Sequence, residues 1–250
     1  MRITTLGTSH GDTTYCRYQS ASLVEVGDRA YLIDAGEPVT ASMVRARGGL
    51  HALSAVFITH MHGDHAGGLP GLLSRLGKLQ EHRQPVRVLL PEKRAIKALE
   101  KWLAVMRGEW PASNVALKVY GPGPIHDDGV LRATAIATHH LVRKDQSCSH
   151  AFLLEAEGKR VVFTGDLSAD CSDFPKAAFD APVDLCVCEI THFPVSACLP
   201  ALKGLPLRQL VLNHVGDEHH GESAETALAE AMSVLPFPVA IAHDGDAFTV

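Results

Sequence analysis

His60-Met61-His62-Gly63-Asp64-His65 is the stretch on which the reading of this 250-residue chain turns. Four of its six residues carry imidazole or carboxylate groups that bind divalent metals. Ahead of it runs Ser54-Ala55-Val56-Phe57-Ile58-Thr59, a short apolar, β-branched run that predicts a buried strand. Behind it, Ala66-Gly67-Gly68-Leu69-Pro70-Gly71-Leu72-Leu73 is small and apolar and fits a helix start or a tight loop. The cluster therefore sits where a strand leaves the core, a common place for a site. In a turn, the pair His60 and His62 and the pair Asp64 and His65 can point at two neighbouring metal positions. The bland alternative is a histidine-rich surface loop in a chain that holds 15 histidines.

His-x-His-x-Asp-His after an apolar strand resembles the signature of the metallo-β-lactamase fold superfamily. Reading outward toward the N-terminus extends the resemblance. Arg2-Ile3-Thr4-Thr5-Leu6 predicts a first strand, followed by the turn-rich Gly7-Thr8-Ser9-His10-Gly11-Asp12. Residues 22–26 and 30–34 predict a hairpin around Gly27-Asp28, and 38–49 fit a short helix closed by Gly48-Gly49. The Leu-Gly-Thr strand end, Asp34-Ala35-Gly36-Glu37 and Gly67-Gly68-Leu69-Pro70-Gly71-Leu72-Leu73 resemble the ribonuclease Z-like branch in particular. Asp34 is expected either to hold the metal loop as an acceptor behind the ligands or to cap a strand end.

Downstream, residues 71–82 suit a helix and Pro85–Leu90 a strand. Pro91–Met106 is the clearest helix, with Ile96, Leu99, Leu103 and Met106 at helical spacing. Residues 75–107 hold nine Lys or Arg against three Glu. That basic segment reads either as a solvated helix face or as a cationic wall for an anionic substrate. Gly121-Pro122-Gly123-Pro124 breaks the chain and reads as an ordinary loop. Val130–Thr138 alternates with period two and delivers His139-His140 at its end. Residues 150–155 and 160–164 predict a second hairpin, ending in Gly165-Asp166. Val183–Glu189 leads to His192, and Leu207–Asn213 to His214. Residues 222–235 suit an Ala-rich helix, and 239–242 with 247–250 are expected to close the chain as a hairpin.

The alternation of strands, hairpins and helices resembles the four-layer αββα sandwich of the superfamily, α+β in class, with residues 1–250 as a single domain. The resemblance implies two divalent metal ions. His60, His62 and His140 are expected at the first ion, Asp64, His65 and His214 at the second, with Asp166 bridging. His140 is preferred over His139 because Thr138-His139-His140-Leu141 resembles the superfamily's Thr-x-His-Leu; His219 is a competitor for His214. Imidazole and carboxylate without thiolate suit Zn²⁺, with Mn²⁺ or Fe²⁺ as alternatives. A hydroxide bridging the ions is the implied nucleophile, and Asp64 is expected to orient it and accept its proton.

In the ribonuclease Z-like branch a His-Glu-Ala-Thr motif supplies a general acid. Here Cys188-Glu189-Ile190-Thr191-His192 keeps the Glu and Thr but puts Cys188 at the His, so His192 is expected to take that role from a shifted position. This departure, a net charge of -5 and the shortness of 121–129 argue against transfer RNA as substrate. A smaller anionic phosphodiester is favoured, with a carboxylic ester, thioester or lactone as the second enzyme reading and a non-catalytic metal-binding regulator as the third. True β-lactamases of the fold generally carry Cys where Asp166 stands. The six cysteines lack disulfide-scaffold spacing, Met1–Gly7 is too polar for a signal peptide, and no run approaches a transmembrane span. A cytoplasmic protein with reduced thiols is therefore expected, with no membrane contact. Cys186-x-Cys188 reads as core packing. The resemblance also allows a homodimer.

Overall fold

Where apolar residues alternate or run continuously, the chain forms strands, as the computed structural model shows for residues 1–79, 85–107, 110 and 113–250. In chain order the first elements are β1 (Arg2–Gly7), β2 (Ala21–Val26), β3 (Arg29–Ile33), α1 (Val39–Arg47), β4 (Leu53–Phe57), α2 (Gly63–Ala66), α3 (Leu69–Leu76), β5 (Val86–Leu90), α4 (Lys93–Arg107) and β6 (Val115–Val119). Then come β7 (Gly123–Asp127), β8 (Arg132–Arg143), β9 (Gln146–Ala156), β10 (Lys159–Phe163), β11 (Leu185–Ile190), α5 (Val195–Leu202), β12 (Leu210–Val215), α6 (Glu222–Met232), β13 (Val239–Ile241) and β14 (Ala247–Thr249).

The chain divides into two compact units. The first comprises Met1–Gly7, Gly11–Tyr120 and Asp244–Thr249. Its seven-stranded sheet runs β14-β1-β2-β3-β4-β5-β6. Pairing is antiparallel from β14 to β3 and parallel from β3 to β6. The core holds Leu23, Leu32, Val56 and Val88 from strands, with Met43, Leu69, Leu73, Leu99 and Leu103 from helices. Helix α1 ends as its glycines predict: Gly48 takes φ +75, and its N–H donates to the carbonyl of Val44, the left-handed cap that glycine adopts without strain.

The second unit comprises Thr8–His10, Gly121–His243 and Val250. Its seven-stranded sheet runs β13-β12-β11-β10-β9-β8-β7. Here too pairing is antiparallel through the hairpins, β7 to β10, and parallel from β10 to β13. Phe174, Phe179, Cys186, Cys188, Leu210, Leu212 and Met232 belong to its own core. Burial pushes the Cys186 and Cys188 thiols far above their usual range and that of Cys171 up to about 12, so these are packing groups.

Five expectations change. Residues 239–250 do not form a hairpin: β13 pairs parallel with β12, and β14 pairs antiparallel with β1 in the other sheet. Gly123 and Pro124 are not loop but the start of β7. On α4 the buried face is Ala95, Leu99 and Leu103, whereas Met106 is exposed together with Trp102 and Val105. His139 and His140 lie inside β8, which runs on to Arg143 and turns through Lys144 and Asp145, both at positive φ. The helix read at 71–82 ends at Leu76, and its last three positions lie outside the described residues. Arg83 of the basic segment also lies outside them.

Candidate metal centre

In the first unit, two neighbouring parallel strands present the chemistry at their C-terminal ends, where open α/β sheets place their sites. Asp34 follows β3 with φ +59, a left-handed conformation that Asp tolerates better than most residues. Its buried carboxylate accepts the Thr59 N–H at 2.7 Å, the Thr59 hydroxyl at 2.9 Å and His65 Nδ1 at 2.8 Å. Burial pushes this carboxyl above its usual range, against the pull of His65 and of the hydrogen bonds from Thr59. Beside it, Tyr120 donates to the Ile58 carbonyl at 2.6 Å. Burial, then the Asp34 charge, pushes that phenol well up, so it remains a donor and ties down the strand end ahead of His60.

This network fixes tautomers. The Thr59 hydroxyl proton is committed to Asp34, so its oxygen accepts from His60 Nδ1 at 3.1 Å. His65 likewise commits its Nδ1–H to Asp34. Both rings then present an Nε2 lone pair away from the core. His60 Nε2 lies 3.0 Å from His62 Nδ1, and His65 Nε2 lies 3.2 Å from Asp64 Oδ2. A lone pair opposite a carboxylate oxygen repels it unless a cation lies between. The donor set of this unit, three imidazoles and one carboxylate, fits a divalent ion.

In the second unit the donors come from three places: Asp166 after β10, His140 within the antiparallel β8 and His214 within the parallel β12. Asp166, 2% exposed, follows β10. Its two carboxylate oxygens face different rings: Oδ2 lies 3.6 Å from His140 Nε2, and Oδ1 lies 3.8 Å from His214 Nε2. Both histidines stand at register breaks. Thr138 pairs with Ser149 and Val142 with Ser147, so β8 bulges across 139–141. Glu189 pairs with Asn213 and Ile190 with Val215, leaving His214 as the extra residue, at φ +48. Bulges re-aim side chains in this way and favour active sites. His140 is half-buried and faces Asp166, whereas His139 is exposed and its N–H donates to Asp173. His219 stands in the short turn beyond β12, with Nε2 3.9 Å from Glu218.

His192 joins the same cluster, its ring 4.4 Å from that of His140 and 5.5 Å from that of His214. Its Nδ1 lies 2.8 Å from Glu189 Oε2, and its Nε2 3.8 Å from Asp166 Oδ2. Glu189 is 3% exposed and also accepts backbone N–H groups from Leu167 at 2.6 Å, Thr191 at 3.1 Å and His192 at 3.0 Å. It is thus a fixed acceptor that orients the imidazole. Cys188, at the position of the motif's His, is buried in the core, donates its S–H to the Glu189 carbonyl at 3.3 Å and, with its thiol pushed well up by burial, is too weak an acid for that role.

Each unit thus gathers its share of the expected residues: His60, His62, Asp64 and His65 in one, and His140, Asp166, His192 and His214 in the other. Two residues were missed in their roles. Tyr120 gives no sequence signal, because it acts through backbone carbonyls 61 and 62 residues away. Glu189 gives one, since it stands three residues before His192 at a strand end.

The family described as Anti-Pycsar protein Apyc1 matches residues 1–233. A ribonuclease Z of Synechococcus sp. strain CC9902 is 36% identical over 134 residues, 52% of this chain and 40% of that protein. Among solved structures, the metallo-β-lactamase fold protein YhfI of Bacillus subtilis superposes with a TM-score of 0.79 at 20% identity, covering 99% of both chains. The short form of human tRNase Z gives 0.77 at 19% identity over 100% of this chain and 99% of that one. The chain has the metallo-β-lactamase fold. No helix among the described residues is long and apolar enough to cross a membrane.

Proposed function

We propose that this chain, which belongs to the Anti-Pycsar protein Apyc1 family, is a metal-dependent hydrolase of a small phosphodiester, with residues 1–250 acting as one catalytic domain. The observation that carries the reading is the set of convergent donors: lone pairs fixed outward by Asp34 and Thr59 in one unit, and a carboxylate with an imidazole at each oxygen in the other. In this proposal His60, His62 and His140 hold one ion, Asp64, His65 and His214 hold a second, and Asp166 bridges them. Zn²⁺ suits the donors best. Two such ions would acidify a water and stabilise the negative charge that develops at phosphorus.

The chain's own residues divide the remaining work. Asp64 orients the attacking water and takes its proton. Glu189 holds the Nδ1–H of His192, so that the imidazolium gives its Nε2 proton to the leaving oxygen and is left neutral. The exposed Lys93, Arg94, Lys97 and Lys101 of α4 give the first unit a cationic face, which favours an anionic substrate. The net charge of -5 and Cys188 in place of the motif's His favour a substrate smaller than transfer RNA, the substrate named for the human structural relative.

The test is metal content together with turnover of bis(p-nitrophenyl) phosphate, on the wild type and on His62→Ala. At least two ions per chain and cleavage abolished in the variant are expected. Two ions without phosphodiester cleavage would overturn the substrate assignment and move the search to lactones and thioesters. No bound metal after reconstitution would overturn the hydrolase reading itself.

A further inference from the structure

Apart from the residues assigned above, two histidines and an aspartate converge just beyond the C-terminal end of β12. The segment Thr8–His10 belongs to the second unit and is stitched to β12. The Val215 N–H donates to the Thr8 carbonyl at 2.8 Å, and Ser9 forms a parallel bridge with Val215. Beyond β12 the chain makes a tight helical turn over Asp217–His219. The turn is closed by N–H donation from His219 to the Gly216 carbonyl at 2.9 Å and from His220 to the Asp217 carbonyl at 3.1 Å. It brings Asp217 and His220 together and sets both against His10, about two hundred residues away in sequence.

His10 Nε2 lies 2.9 Å, and His220 Nδ1 3.3 Å, from the same oxygen, Asp217 Oδ1. One ligand atom from each residue lies within 4.8 Å of the other two. Ligands on a tetrahedral zinc with bonds of about 2.0–2.1 Å stand about 3.3 Å apart. The tautomer of His220 follows from its other nitrogen. Nε2 lies 2.9 Å from the Val215 carbonyl, which only accepts, so Nε2 carries the proton and Nδ1 keeps its lone pair. That lone pair faces an oxygen of the exposed Asp217 carboxylate, 3.3 Å away. Lone pair against carboxylate is repulsive without a cation between them. An imidazole whose rear N–H is held by a backbone carbonyl is also how metal-ligating histidines are oriented. The two rings are largely sequestered, at 10% and 14% side-chain exposure, while Asp217 is 70% exposed, so an ion could enter from solvent and keep an open position.

We propose that His10, Asp217 and His220 form a third divalent-metal site, mononuclear and separate from the pair, for Zn²⁺ or a similar borderline cation. It shares no ligand with the pair. It would clamp Thr8–His10 onto the exit of β12, the strand that carries His214, and so act by positioning.

The test is native mass spectrometry of the full chain after reconstitution with ZnCl₂. The Asp217→Asn/His220→Gln double variant and the single variant His10→Gln are each expected to hold one Zn²⁺ fewer than the wild type, with an unchanged far-UV circular dichroism spectrum. Zn²⁺ should also raise the melting temperature of the wild type more than that of either variant. Equal stoichiometry in all three proteins would overturn the site, as would loss of two ions, which would assign these residues to the pair. A wild type that holds one ion, lost in the double variant, would keep this site and sink the dinuclear reading, so the two failures are told apart.

Discussion

Replacing Asp34 by Asn tests the proposition that a buried acceptor, rather than the ligands alone, makes the first unit competent for metal. The wild-type carboxylate takes four hydrogen-bond contacts from Thr59 N–H, Thr59 Oγ1 and His65 Nδ1, at 2.7–3.0 Å. Asn keeps one acceptor oxygen, which the Thr59 N–H would claim. Its NH₂ must then face Thr59 Oγ1 and His65 Nδ1, where it meets an N–H. His65 relieves the clash by moving its proton to Nε2. That nitrogen is 3.2 Å from Asp64 Oδ2, so the new tautomer gains a hydrogen bond there and loses the lone pair aimed at the ion. Binding must undo both, and loss of such a supporting partner typically weakens metal affinity by about 10–100-fold, or about 1.4–2.7 kcal/mol. The apo fold should survive, because Asn tolerates φ +59 as Asp does. Asp34→Ala differs: it strands the buried Thr59 and His65 N–H groups at about 1–3 kcal/mol each and adds about 1–2 kcal/mol for an alanine in the left-handed region. Zn²⁺ competition against a chromophoric chelator reads the affinity, and thermal melts in EDTA read the fold. An Asn variant that binds as the wild type does, or an apo melt as depressed as that of Ala, would refute the tautomer argument.

Three further outcomes follow from particular contacts. Glu189→Gln removes the charge that holds His192 Nδ1–H, so kcat should fall by about 10²-fold or more for diesters with poor leaving groups and far less for p-nitrophenyl esters; an equal drop for both would deny His192 the acid role. In Gly36→Ala, a Cβ would stand 2.1 Å from the Asp64 carbonyl oxygen and 2.7 Å from Gln19, so overpacking of about 1–3 kcal/mol should lower the melting temperature by several degrees and loosen metal binding; a wild-type melt would refute it. The Asp184 carboxyl is held below its usual range: burial pushes it up but is outweighed by the Arg160 N–H at 3.0 Å, Lys159 at 3.2 Å and Arg208 at 3.6 Å. A depressed folded-state pKa contributes stability above the unfolded value of about 3.9 and loses it as pH falls through the folded value. Asp184→Asn should therefore be less stable by about 1–2 kcal/mol at pH 7, with the gap closing in urea melts below about pH 4; a gap independent of pH would refute the assignment.

What the sequence made legible is what short-range pattern encodes. The apolar run before His60, the Gly27-Asp28 and Glu157-Gly158 turns, and the glycines closing α1 each specify their own conformation locally, and the strands and helix boundaries there fall within a few residues of expectation. Sheet membership does not have that property. Residues 239–241 and 247–249 alternate like the two arms of a hairpin, yet their partners, β12 and β1, lie far away in the chain. Met106 and Trp102 show the same limit: helical spacing marks Met106 as part of the buried face, but Ala95, Leu99 and Leu103 occupy it, and the helix turns both larger side chains outward.

The site was legible in residue type and hidden in aim. His140 and His214 were recognisable because their places in the chain resemble the superfamily's ligand positions, but a regular strand would have sent His140 and its neighbour His139 to opposite faces without saying which face matters. The register breaks at 139–141 and at His214 settle the direction, and neither is visible in the alternation. The same reasoning explains the recurrence of one device. His65 is backed by Asp34, His192 by Glu189 and His220 by the Val215 carbonyl, each a ring whose rear nitrogen is held so that the front one is turned toward neighbouring ligand groups. Asp34 follows β3 and Glu189 is the penultimate residue of β11, next to turns whose N–H groups are available to a carboxylate. A buried acid with nothing to neutralise it would be costly there. Taking backbone N–H groups and an imidazole N–H at once makes that burial tolerable, and it is the fold's parallel strand ends, rather than the His-x-His-x-Asp-His motif by itself, that turn a row of histidines into oriented ligands.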